Sequence, residues 1–78
     1  MSKLPVISAR ELELILFHLG FKRKRQVGSH VLFQHSDGRA TVVPCHAGED
    51  IGRGLLRKIL RDVQVEPEEY LKLRRAVL

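Results

Sequence analysis

The sequence has a single cysteine, Cys45, so no internal disulfide can form. The opening Met1-Ser2-Lys3-Leu4-Pro5 holds no apolar leader, which together with the lone thiol leads us to expect a cytoplasmic protein. No stretch approaches the roughly 20 apolar residues of a membrane span, so no membrane association is expected. Aromatic rings are few and are not interleaved with the basic residues, which argues against a stacking platform for nucleic-acid bases. Phe17, Phe21, Phe33 and Tyr70 therefore read as core. Cys45-His46 invites a zinc reading, but one cysteine and no ligand pair at structural-site spacing argue against a metal, and no cofactor is expected. Repeats, low-complexity segments and linkers are also missing.

What remains is 78 residues, 44% hydrophobic and 29% charged. That length predicts one small domain over 1–78, with its core in about 8–71. Such a chain buries only roughly 60–65% of its unfolded surface, which excludes the deep pocket of a large cofactor enzyme. The net charge is +5 and is unevenly placed. Residues 1–61 carry eleven Lys/Arg against five Asp/Glu, whereas residues 62–78 carry three against four. A basic body of this kind suits a polyanion such as nucleic acid, although it also fits a soluble basic domain without one.

The first helix is well marked. Ser8 and Glu11 form a capping box, Ile7 and Leu12 a hydrophobic staple, and Leu12, Ile15, Leu16 and Leu19 a buried face at helical spacing. Gly20 supplies the left-handed cap, which predicts a helix over 9–19. Three strands follow, over 21–27, 30–36 and 39–44. Gly28-Ser29 and Asp37-Gly38 provide the turns, and Pro44 ends the last strand. Ile51, Leu55, Leu56, Ile59, Leu60 and Val63 predict a second helix near 52–63, with Arg53, Arg57, Lys58 and Arg61 on its polar side. Pro67, followed by Glu68 and Glu69, opens a short C-terminal helix packed down by Tyr70, Leu71 and Leu78. The expected class is α+β, in the order α-β-β-β-α with a three-stranded antiparallel meander, helices on one sheet face, and the extra helix at the end.

Gly28-Ser29-His30 is the most informative segment, because it sets an imidazole directly after a tight turn. Imidazole is the side chain that most readily gives or takes a proton near neutral pH. A turn-flanking histidine that merely hydrogen-bonds the backbone is the competing reading. Parity matters here. With Val31, Phe33 and Val42 toward the helices, His30 points to the open face; with Leu32 and Val43 inward, it leans into the core. The first arrangement is preferred. Lys22-Arg23-Lys24-Arg25 is expected to put two cations on each strand face, available to phosphates or serving as a solvated edge that resists aggregation. His46 reads as a phosphate contact or a surface residue, and His18 and His35 as surface or boundary residues.

Taken together, Leu19-Gly20-Phe21, Gly28-Ser29-His30, Asp37-Gly38-Arg39, Val42-Val43-Pro44-Cys45-His46 and Gly54-Leu55-Leu56-Arg57-Lys58-Ile59-Leu60 resemble the HicA (YcfA-like) family, the small toxins of HicA–HicB toxin–antitoxin pairs. The resemblance covers about residues 8–71. It implies a double-stranded-RNA-binding-domain-like fold and metal-independent endonucleolytic cleavage of mRNA. It implies that His30 is the essential catalytic histidine, and that a HicB-like antitoxin masks His30 and the basic surface. Two departures are visible: Cys45 stands where the family often has a basic or polar residue, and the segment after Val63 is longer and more acidic than in a minimal member.

The chemistry such a family needs is modest, since the RNA 2′-OH is an internal nucleophile beside its phosphate. His30 would be the general base or acid. Lys22, Arg23, Lys24, Arg25, Ser29, Arg39, His46, Arg53, Arg57 and Lys58 would hold the RNA, and His46 is the candidate for a second proton transfer. Two other readings are a non-catalytic RNA-binding module on the same fold and a basic domain that meets an acidic protein.

Overall fold

The computed structural model describes residues 4–78. A two-residue strand β1 (Ile7–Ser8) leads directly into helix α1 (Ala9–His18). The capping box is complete: Ser8 Oγ accepts from the Glu11 N–H at 3.1 Å, and Glu11 Oε1 accepts from the Ser8 N–H at 3.1 Å. Ile7 and Leu12 are both buried, as a staple requires. At the other end Gly20 takes φ +98°. The Phe21 N–H reaches the Leu16 carbonyl at 2.9 Å, and the Gly20 N–H reaches Phe17 at 3.0 Å. This is the Schellman pattern, with Phe21 and Leu16 buried together beneath it.

Strands β2 (Lys22–Val27), β3 (His30–Gln34) and β4 (Ala40–Pro44) form the expected antiparallel sheet in that order. Gly28 takes φ +59° at the first turn, as a type II′ hairpin requires. The second hairpin uses a three-residue loop. The His35 N–H bonds Arg39 at 2.8 Å, the Gly38 N–H bonds His35 at 3.0 Å, and Gly38 takes the left-handed position.

Val31, Phe33, Thr41 and Val43 are buried beneath the helices, so His30, Leu32 and Gln34 face the other way. On β4 the expectation fails by one residue: Val42 is 44% exposed and Val43 takes the core place. Register dictates this, because Val43 pairs with Val31 and Val42 with Leu32.

A second correction concerns β2. The pairing slips between Arg23 and Arg25, leaving Lys24 as the extra residue of a bulge. Arg23 lies opposite Phe33, on the helix side, whereas Lys22 and Arg25 lie opposite Gln34 and Leu32, on the open side. The basic run is thus not split evenly between the faces.

Helix α2 (Arg53–Asp62) buries Leu56, Ile59 and Leu60 against the sheet, and α3 (Pro67–Val77) packs on α1 through the fully buried Tyr70. Each such side chain contributes about 1.5–3 kcal/mol by leaving water. The Tyr70 hydroxyl donates to the Pro5 carbonyl at 2.8 Å, so the ring's polar end is satisfied. Helix α2 also ends in a Schellman pattern, with Val65 N–H to Leu60 at 2.9 Å and Gln64 N–H to Arg61 at 3.2 Å. Here Gln64, not glycine, takes the left-handed position at φ 58°. An unexpected second strand pair joins β1 to β5 (Asp50–Ile51), with Ile7 opposite Ile51, both buried. Two expected core residues lie at the surface: Leu78 is 47% exposed, and Phe17 is 42% exposed with its ring edge-on to Phe33 at 5.9 Å.

Candidate active site on the open sheet face

His30 is the first residue of β3 and is exposed on the face that the helices leave uncovered. Its cross-strand neighbours are Val27 and Pro44, neither of which closes over it. The turn before it is locked from the other side. The Cys45 N–H donates to the Ser29 carbonyl at 2.6 Å, extending the β3–β4 ladder one step past Pro44. One residue further, His46 Nε2 lies 3.2 Å from Ser29 Oγ. Ser29, His30 and His46 therefore gather at one end of the sheet, although 16 positions separate His30 from His46 in sequence. The hairpin register carried this information: pairing His30 with Pro44 makes the chain after Pro44 wrap beside the Gly28-Ser29 turn.

The basic residues divide into two groups. Lys22, Lys24 and Arg25 are exposed and make no ion pair among the described residues. Arg23, Arg39, Arg53 and Lys58 are engaged. Arg23 forms an ion pair with Glu13 of α1 on the helix side. Arg39 Nε donates to Asp37 Oδ2 at 2.8 Å, its Nη1 donates to the Val63 carbonyl at 2.6 Å, and its guanidinium lies 5.2 Å from the Phe21 ring centre. The Arg39 backbone N–H, which donates to Asp37 Oδ1 at 3.0 Å, is the chief cause that holds Asp37 below the usual carboxylate range, with the guanidinium adding to it. Arg39 is thus a strut between the hairpin tip and the end of α2.

Arg53 Nε donates to the Leu4 carbonyl at 2.9 Å. Lys58 Nζ shares Asp62 Oδ2 with the buried Thr41 hydroxyl, each at 3.0 Å. Arg57 lines a groove with Leu60, Arg61 and Pro67 in the helical layer. The structure does not bring these α2 residues to His30.

The surroundings of Cys45 disfavour its thiolate. Burial pushes its thiol up, Glu13 adds to the effect, and Arg23 only partly opposes it. Among the described residues, no three His, Cys, Asp or Glu side chains converge as metal ligands would. No helix among them is long and apolar enough to cross a membrane.

A three-stranded sheet backed by helices, with an exposed histidine at a Gly-Ser turn and unpaired cations on the same face, defines a small α+β protein with a basic open sheet face. The model of the family described as "HicA toxin of bacterial toxin-antitoxin" matches residues 9–65. The chain belongs to that family, and membership implies an antitoxin as its partner. A search of the curated proteins gave no match.

Proposed function

We propose that this toxin is a metal-independent endoribonuclease that cuts mRNA in the cytoplasm, with His30 as the proton-transfer residue. The observation that carries the proposal is the exposure of His30 on the uncovered sheet face, which it shares with Lys22 and Arg25. An imidazole there takes the proton from a ribose 2′-OH. The 2′-oxygen bonds to the adjacent phosphorus, the bond from phosphorus to the 5′-oxygen breaks, and a 2′,3′-cyclic phosphate remains. The departing 5′-oxygen needs a proton, and His46, held against Ser29, is our candidate donor. The cations offset the charge that builds on the phosphate.

The wider set of RNA contacts is Lys22, Arg23, Lys24, Arg25, Ser29, Arg39, His46, Arg53, Arg57 and Lys58. We rank Lys22, Lys24 and Arg25 first, because the ion pairs and hydrogen bonds of Arg23, Arg39, Arg53 and Lys58 must loosen before those residues turn to RNA. The antitoxin would cover His30 and this cationic face, with complementary charge speeding the encounter. The chemistry is tested by a chimeric oligonucleotide carrying 2′-deoxyribose at the mapped cleavage position. It should survive where the all-RNA strand is cut, and cleavage of both at equal rates would exclude a 2′-OH mechanism.

A further inference from the structure

At the opposite end of the open face from His30, a cavity of about 470 Å³ is lined by Gly20, Lys22, Lys24, Gln34, His35 and neighbouring loop atoms. The β2 bulge adds Arg25 to the same face. Without the slip at Lys24, Lys22 and Lys24 would share one face and Arg23 and Arg25 the other. With it, Lys22 and Arg25 both face the open side, and Lys24 reaches the same cavity as Lys22. Neither lysine has an acidic partner among the described residues.

Between this cavity and His30 the face is formed by Leu32 and its cross-strand partners Val42 and Arg25. Three rows therefore run across the sheet. One holds Val27, His30 and Pro44, the next Arg25, Leu32 and Val42, and the last Lys22, Gln34 and Ala40. From His30 to Gln34 the strand advances about 13 Å, so one phosphodiester linkage cannot lie at both ends.

We propose that Lys22 and Lys24 form a remote phosphate subsite for the same single RNA strand whose scissile linkage lies at His30. On this proposal the protein acts on strands of several nucleotides and discriminates against very short ones. It rests on the ribonuclease reading above. Charge complementarity favours RNA over an apolar partner, since the two ends of the track are cationic or ionisable and its centre sets the Arg25 cation beside the aliphatic surface of Leu32 and Val42. An electrostatic groove that follows the backbone is the usual device for sequence-tolerant single-strand binding. The salt dependence of such contacts is set by how many phosphates are neutralised.

The test uses fully 2′-O-methylated oligonucleotides, which cannot be cut, in lengths from two to eight nucleotides. Binding is measured over a salt series for wild type, for the double variant Lys22→Gln, Lys24→Gln, and for a control that removes equal charge from α3, Lys72→Gln, Arg75→Gln. Circular dichroism establishes that each is folded, and single-lysine variants replace the pair if it is not. The double variant should bind the long strand with a log–log salt slope shallower by about 1.4, from about 0.7 for each of two lost contacts. Its deficit should shrink as the strand is shortened, and the α3 control should keep the wild-type slope. A deficit independent of length, an unchanged slope, an equal effect of the α3 control, or no RNA binding by the wild type would overturn the subsite. Length-dependent binding through these lysines without cleavage of unmodified RNA would support the subsite and remove the nuclease reading instead.

Discussion

Ser29 Oγ and His46 Nε2 lie 3.2 Å apart, joining the turn that presents His30 to the loop that follows β4. The bond has mechanistic content because of what flanks it. On one side the Cys45 N–H holds the Ser29 carbonyl at 2.6 Å, and on the other His30 begins the strand. The second imidazole is thereby tied to the turn that presents the first, and it lines a groove shared with Glu13 and Arg23 at the edge of the sheet.

If His46 returns the proton to the leaving oxygen, His46→Ala should slow cleavage by about 10²–10⁴, the usual worth of a general acid. Ser29→Ala leaves the imidazole in place but unties it, so it should cost less. Single-turnover rates on an RNA cut at one mapped position decide this, and an unchanged rate in His46→Ala would remove the residue from the mechanism.

Gln64 is a place where the chain works against its own backbone. A β-carbon in the left-handed region costs about 1–2 kcal/mol, which glycine avoids at some cost in unfolded-chain entropy. Because Gln64 is exposed, little packing is lost on its removal. Gln64→Gly should therefore stabilise the protein by about 0.5–1 kcal/mol, read as a higher denaturation midpoint with unchanged slope. A lower midpoint would show that the Gln64 side chain contributes more than its strain costs.

Acid should weaken the α1 cap. The Ser8 backbone and side-chain hydrogen bonds hold Glu11 below its ordinary value. A carboxyl depressed in the folded state binds fewer protons there than when unfolded. Its contribution is complete above the unfolded value, near 4.5, and is lost as pH falls through the lower folded value. Glu11→Gln has no such proton to take up, so its stability should fall less than that of wild type as pH drops below 4.5 in urea melts. Parallel loss in both proteins would rule out a titrating cap.

The sequence carried α1 almost completely, because Ser8, Glu11 and Gly20 each demand one backbone role. The hairpins were equally legible from Gly28 and Gly38. Other features left no such mark. Every residue of β2 is exposed, so it has no alternation to read, and its bulge at Lys24 was invisible. Val42 and Val43 are chemically identical neighbours, and only pairing with β3 decides which is buried. The two-residue strands β1 and β5 are too short to show a period. Gln64 occupies a place where glycine would have signalled the helix end.

At the candidate site strand parity only favoured an exposed His30, and pairing with β4 decided it, while its surroundings left no mark in the sequence. A run of Lys and Arg does not reveal which members will find Glu13, Asp37, Asp62 or a backbone carbonyl. Nor does His46, read as a loop residue, disclose that Ser29 waits across the ladder.

The proposed cleavage chemistry turns on the His30 imidazole. Wild-type and His30→Ala proteins, both folded, should be incubated with mRNA in excess chelator and the RNA ends mapped. We predict defined internal cuts with wild type and none with His30→Ala, which should still bind the RNA. Equal cleavage by both proteins, or intact RNA with folded wild type, would contradict the account.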